Sequence, residues 1–146
     1  MVGLLFAAFS VYWALGGMWL LSTVGRSFEE HGRAGDVGWV LLGWVAAALK
    51  VAAAVLPVLA LRRLTRAGWD RVVWVLAWLA AAALSSYGLV TTTVSLLVQF
   101  GAIQVSAGAN HRAQAWHAFL WDPWFLVWGI LVVAALVRGR DRRATL

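Results

Sequence analysis

Apolar residues fill four long runs along the chain, and short polar or charged segments separate them. The runs are Val2–Val24, Val37–Leu61, Val72–Ser95 and Trp116–Val137. Each reaches the ~20 residues that a helix needs to cross the hydrocarbon core of a bilayer. Backbone hydrogen bonds must be satisfied within such a crossing, so each run predicts a helix. The pattern therefore predicts one all-α domain over residues 1–146, an integral membrane four-helix up-down bundle with helices over about 2–24, 37–61, 72–95 and 116–137.

Small and polar residues recur at spacings of three and four in the first three runs, which places them on one face of each predicted helix. Small side chains allow membrane helices to approach closely, so we expect these faces to form the helix contacts. The three stripes are Gly3, Ala7, Ser10, Ala14 and Gly17; Gly43, Ala47, Lys50, Ala54 and Pro57; and Ala77, Ala81, Ser85, Gly88, Thr92 and Ser95.

Two ionisable residues are predicted to lie within the membrane. Lys50 is near the middle of the second run, where a lysine that faced lipid would cost at least ~3 kcal/mol, so it should face the bundle interior. Asp122 precedes Pro123, which predicts an N-cap and first turn at the start of the last helix. We hypothesise that Lys50 and Asp122 interact, directly or through water, in a pocket that opens outward. The alternative is that Lys50 is neutral or bonds to helix carbonyls, and that Asp122 is only a cap.

Composition supports this class and excludes others. The chain is 63% hydrophobic and 12% charged, whereas a soluble domain has about 25% charged residues. It has no cysteine, and its three histidines match no metal-ligand spacing, so neither a metal nor another cofactor is predicted.

The net charge of +6 is an orientation signal, because arginines mark the cytoplasmic side of a membrane protein. They cluster at one predicted loop and at the C-terminal tail: Arg62, Arg63, Arg66, Arg71, Arg138, Arg140, Arg142 and Arg143. Both termini are therefore predicted to be cytoplasmic in the cell inner membrane, with membrane lipid as a partner and no role for nucleic acid.

Eleven tryptophans are more than an interfacial aromatic belt needs. Some of them could line a pocket, where indoles stack on a flat ligand or stabilise a cation; they could equally meet lipid. The candidate substrate-binding residues are Trp13, Trp44, Tyr87, Trp121, Trp124 and Trp128.

Two passages resemble an uncharacterised bacterial family of small four-helix membrane proteins. One is Tyr-Trp-Ala-Leu-Gly-Gly over residues 12–17, and the other is Trp-Asp-Pro-Trp over residues 121–124. The family's proline usually comes a few residues after the aspartate, and here it follows at once. The resemblance implies the fold and the topology, and it implies no activity.

Three functions fit these features. The first is an enzyme that acts on a lipophilic, isoprenoid-like molecule by acid-initiated cation chemistry, as a cyclase or isomerase does. Asp122 would be the acid, unless Lys50 pairs with it and keeps it ionised. In that case Glu29 or Glu30 would have to fold into the pocket and act as the acid. The second function is a non-catalytic binder of lipid or another small molecule, or an accessory subunit. The third is a small proton-coupled carrier, for which the small-residue faces would allow a homo-oligomer.

Overall fold

The computed structural model describes residues 2–24, 26–62, 68–104 and 111–144. Within these ranges every regular element is helical. The elements are α1 (Val2–Ala14), a 3₁₀ turn (Leu21–Thr23), α2 (Arg26–Ala34), α3 (Val37–Arg62), α4 (Asp70–Gln99), α5 (His111–Trp116), a π turn (His117–Trp121) and α6 (Asp122–Ala144).

Three helical stretches are long and apolar enough to cross a membrane. They are Val37–Arg62, Asp70–Gln99 and Arg112–Arg140, with mean hydropathies of 2.1, 1.8 and 1.9. The third stretch combines α5, the π turn and α6 in one rod. At 1.5 Å per residue each stretch is about 39 Å or more in length, and the hydrocarbon core is about 30 Å thick. The chain is therefore a helical membrane protein.

The first predicted helix is wrong in its length, because α1 ends at Ala14. Gly16 adopts a φ of +89°, which glycine tolerates and which a helix cannot continue through. Two aromatic side chains hold the chain in the turn that follows. The Trp13 indole donates to the Trp19 carbonyl at 2.8 Å, and the Trp19 amide donates to the Tyr12 hydroxyl at 3.3 Å. At 13 residues, α1 extends only about 20 Å.

Residues 15–24 and 26–36, which we name the cap segment, lie between α1 and α3. The segment contains the 3₁₀ turn and α2, and Gly35 near its end has a φ of +66°. α2 is polar, and its Arg33 pairs with Glu29 at 2.9 Å. Residues 15–24, which were predicted to be the outer half of a membrane helix, therefore belong to a folded cap.

Close contacts between small residues hold the helices together, as the stripes predicted. A Cβ added at Gly88 would overlap the backbone of Leu126, and one added at Gly129 would overlap Ser85. The backbones of α4 and α6 therefore approach each other as only glycine allows. Gly43 of α3 faces Ala14 of α1 less closely, because a Cβ added at Gly43 would lie 3.6 Å from the Ala14 Cβ, an ordinary van der Waals distance.

Several of the described arginines gather at one end of the bundle. Gly139 of α6 meets the Leu61 side chain of α3 and lies near Trp74 of α4. Arg62, Arg71 and Arg138 are next to these contacts in the chain and lie at the same end, opposite the cap segment. Arg63 and Arg66, and the side chains of Arg142 and Arg143, are outside the described residues.

Candidate active site

A cavity of about 280 Å³ lies beneath the cap segment, between α1, α3, α4 and the start of α6. Its wall is mostly aromatic and aliphatic, with a few polar side chains facing one another across it. The polar members are Ser10, Lys50, Tyr87, His117 and Asp122, and the aromatic members are Phe6, Trp13, Trp39, Trp121 and Phe125. An apolar cavity with a few convergent polar groups is the usual form of a small-molecule site.

The π turn brings His117 and Asp122 together. The Asp122 amide donates to the His117 carbonyl, a bond five residues back where an α-helix would reach four. Pro123 has no amide hydrogen and cannot form the regular bond to the carbonyl of Phe119, so the proline favours this local widening. The prediction that Asp122 is an N-cap is wrong, because its φ of −74° and ψ of −46° are helical and the helix begins earlier.

Asp122 is buried, with 3% of its surface exposed, and both of its oxygens have partners. The Ser95 hydroxyl of α4 donates to Oδ2 at 2.5 Å. The Nδ1 atom of His117 lies 3.1 Å from Oδ1. A buried carboxyl group that is hydrogen-bonded on both oxygens is held in one orientation toward the cavity.

His117 and Asp122 share one proton, and their hydrogen bonds require it. The other imidazole nitrogen, Nε2, lies 2.8 Å from the Val24 carbonyl, which only accepts. Nε2 must therefore carry a hydrogen. The Nδ1 contact then needs a second hydrogen, either on Nδ1 facing a carboxylate or on Oδ1 of a neutral Asp122. In both arrangements the pair has a net charge of zero and holds one transferable proton.

The cap segment is fastened to this pair. Val24 accepts the His117 bond, and the Trp121 indole donates to Thr23 Oγ1 at 3.2 Å. The Thr23 hydroxyl in turn donates to the Leu20 carbonyl at 2.6 Å. The same contacts that close the cavity also fix which nitrogen of His117 faces Asp122.

Lys50 points into the cavity but does not contact Asp122 directly. Its ammonium donates to Ser10 Oγ of α1 at 2.6 Å. It lies 4.3 Å from the ring centre of Phe6 and 5.5 Å from that of Phe125. Among the described residues no carboxylate oxygen is within 4.0 Å of it. The direct Lys50–Asp122 pair in the sequence hypothesis is therefore wrong, because each group finds a nearer partner, although both line one cavity.

The two loop acids stay outside this cavity. Glu29 pairs with Arg33 within α2, and Glu30 is exposed on the same helix. Neither residue belongs to the cavity wall. A helix of nine residues holds them in the cap segment, which leaves Asp122 as the carboxyl group that faces the cavity.

The predicted aromatic residues divide into two groups. Trp13, Tyr87 and Trp121 line the cavity, and the rings of Trp13 and Trp121 meet edge to face at 5.6 Å. The other three lie elsewhere. Trp44 is exposed, and Trp124 stacks on Phe6 at 5.6 Å.

Trp128 is buried against Gly3, away from the cavity wall. Its indole fills the space that a side chain at residue 3 would occupy. The tryptophan therefore contributes to packing between α1 and α6.

Sequence reasoning missed Phe6, Phe125 and the role of His117. Residues five apart are on different sides of an α-helix, so no periodicity linked His117 to Asp122. The aspartate-proline pair was the available signal, since a proline inside a helical stretch favours local irregularity. Among the described residues no group of three or more His, Cys, Asp or Glu side chains could hold a metal.

The two motifs that carry the family resemblance meet in this site. The side chains of Tyr12 and Trp13 hold the turn that the glycine pair makes after α1, and a Cβ at Gly17 would overlap the Tyr12 ring. Trp121 of the second motif contacts Trp13 and anchors Thr23. A protein-family model described as "Protein of unknown function (DUF3995)" matches residues 3–132. Neither the curated proteins nor the solved structures contain a match.

Proposed function

The chain belongs to the DUF3995 family of unknown function, as the resemblance predicted, and from its site we propose that it is a membrane-embedded enzyme. The substrate would be lipophilic and isoprenoid-like, and the chemistry would be acid-initiated isomerisation or cyclisation. One observation carries the proposal: on the wall of an aromatic cavity, His117 Nδ1 lies 3.1 Å from Asp122 Oδ1 while Nε2 lies 2.8 Å from the Val24 carbonyl.

The proposed reaction begins when Asp122 transfers the shared proton to a carbon–carbon double bond. The π electrons form the new C–H bond, and the neighbouring carbon becomes a cation. The rings of Phe6, Trp13 and Trp121 line the cavity and would stabilise this cation. Loss of a proton from an adjacent carbon to the pair forms a new double bond and restores the starting state, so no co-reactant is consumed.

The separation of Lys50 from Asp122 supports Asp122 as the acid. A carboxylate held by a neighbouring ammonium stays ionised and is a poor proton donor. Here the ammonium bonds to Ser10, and the carboxyl group bonds to Ser95 and His117. The Ser95 hydroxyl would also stabilise the carboxylate that remains after proton transfer.

The cavity size limits the reacting part of the substrate. An engineered protein cavity of about 150 Å³ holds benzene, with its six carbons. A volume of about 280 Å³ therefore suits about eleven non-hydrogen atoms by proportion. That is close to two isoprene units.

Location in the inner membrane with both termini cytoplasmic is part of the proposal. It is supported by Arg62, Arg71 and Arg138, which lie at one end of the bundle, since positive residues favour the cytoplasmic side. The cavity is at the opposite end and would open outward.

The test compares molecules that co-purify with the wild-type chain and with Asp122→Asn, identified by mass spectrometry. Asp122→Asn should accumulate a linear, unsaturated precursor, and the wild-type chain should carry its isomer or cyclic product. Asp36→Asn is a matched control, because Asp36 accepts the Gly38 amide at 2.9 Å outside the cavity. Identical bound molecules in wild type and Asp122→Asn would refute catalysis by Asp122.

A non-catalytic binder is the second candidate. It is favoured by the fact that both Asp122 oxygens already have protein partners, which a purely structural group also requires. In that case one lipophilic molecule should bind stoichiometrically and unchanged to wild type and to Asp122→Asn.

A further inference from the structure

Lys50 has no compensating charge nearby among the residues that the structure describes, at a depth where an unbalanced charge is costly. It is twelve residues or more from either end of α3, which places it about 18 Å or more along the axis from each end. A charged side chain at this depth normally finds an opposite charge or water. The described partners of its ammonium are one neutral hydroxyl, on Ser10, and the rings of Phe6 and Phe125.

The other ionisable groups in the cavity do not neutralise Lys50. His117 and Asp122 have a net charge of zero in both of the proton arrangements that their hydrogen bonds permit. With Lys50 protonated, the described residues that line the cavity therefore have a net charge of +1. An anionic ligand group would balance this charge, and an ammonium offers three N–H donors, of which Ser10 occupies one.

The ammonium lies at the end of the cavity that is farther from the cap segment. It is close to Phe125, which is three residues, or about 4.5 Å, farther along the rod than Asp122. The cavity wall around it is aromatic. A charged head group bound at this end would leave the ligand's apolar chain against the rings and beside Asp122.

We propose that Lys50, assisted by Ser10, binds the anionic head group, a carboxylate or phosphate, of a short amphiphile in this cavity. The inference rests on the proposed function only for the location of the substrate, and it does not depend on proton transfer. It narrows the substrate class to lipophilic anions with an apolar chain of about ten carbons, on the same size argument as above.

The test measures binding of three ligands with the same ten-carbon chain: decanoate, decanol and decylamine. The full-length chain is kept in a neutral detergent, and binding is followed by the fluorescence of tryptophan, because Trp13 and Trp121 face the cavity. Decanoate should bind about tenfold or more tightly than the other two ligands, as hydrogen bonding to a charged group predicts. Equal affinities of wild type for decanoate and decanol would overturn the proposal.

Variants assign the preference to Lys50. Lys50→Met should bind decanoate and decanol equally, and Lys50→Arg should retain the preference. Arg138→Met is the matched control, because it removes one positive charge from an exposed site at the far end of the bundle. A preference for decanoate that persists in Lys50→Met would overturn the inference.

Two competitors separate other sources of the same anionic chemistry. Displacement of decanoate measures the affinity of each competitor for the cavity. Inorganic phosphate and phosphatidylglycerol should each bind at least tenfold more weakly than decanoate does. Equal displacement by phosphate would overturn the need for an apolar chain, and equal displacement by phosphatidylglycerol would assign the site to a bilayer lipid instead. Decanoate has no double bond that could accept a proton, so its binding is measured without turnover, and a failure of catalysis and a failure of anion binding are distinguishable.

Discussion

Removal of the His117 imidazole tests whether the shared proton links two side chains energetically. His117→Ala removes a hydrogen bond to Asp122, worth about 1.5–3 kcal/mol for a charged partner, and one to Val24, worth about 0.5–1.5 kcal/mol. Water can replace part of both bonds, because the His117 side chain is 35% exposed. The variant should therefore lose about 2 kcal/mol of unfolding free energy, near the lower end of the summed range.

Asp122→Asn should lose less unfolding free energy, about 1 kcal/mol, because an amide N–H can donate to a neutral His117 Nδ1 in the same geometry. In the Asp122→Asn background, His117→Ala should cost about 1 kcal/mol, since only bonds between neutral groups are lost. The two changes should then couple by about 1 kcal/mol, which a double-mutant cycle isolates.

The assay is a titration of the purified chain from neutral detergent into dodecyl sulfate, followed by tryptophan fluorescence and helical circular dichroism. All four members of the cycle are measured under the same conditions. Additivity within about 0.5 kcal/mol would refute the conclusion that one proton is shared between these two residues.

Three further predictions concern packing, the cap segment and orientation. Gly88→Ala should destabilise the chain by about 1–3 kcal/mol in the same titration, because its Cβ would overlap the α6 backbone. Gly43→Ala should change the stability far less, because the nearest atom of another helix would lie 3.6 Å from the new Cβ. Thr23→Val should cost about 1 kcal/mol, since it removes the acceptor of a buried indole, and equal stability would contradict that anchor. The chain has no cysteine, so an introduced cysteine is the one thiol that a maleimide can label. A membrane-impermeant maleimide added to intact cells should label Ala34→Cys, whereas Arg140→Cys should react only after permeabilisation. The reverse result would invert the proposed topology.

Much of the bundle could be predicted from the sequence. Apolar runs longer than twenty residues identified three crossings that the structure contains, because transfer into lipid depends on each side chain almost independently. The small-residue stripes identified the faces that meet, including Gly43 and Gly88. A lysine within an apolar run was correctly predicted to face the interior, since exposure to lipid would be too costly.

The structure of the first apolar run, Val2–Val24, differs from what hydropathy predicts. Hydropathy alone extended its helix to Val24, and the helix ends at Ala14. The bonds that stabilise the turn there join Tyr12 and Trp13 to Trp19. Average hydrophobicity does not record such pairwise contacts, and the glycine pair was the local signal for the break.

Composition and periodicity thus determined the class of protein, the number of long crossings and the inward direction of Lys50 and the small-residue faces. Only the tertiary structure decided that His117 partners Asp122, that Lys50 partners Ser10, and that Thr23 meets Trp121, 98 residues away along the chain. Partition into a membrane is a property of single residues and can be summed along a sequence. A hydrogen bond requires two specific atoms within about 3 Å, and for these pairs the folded path of the chain and one π turn brought the atoms together.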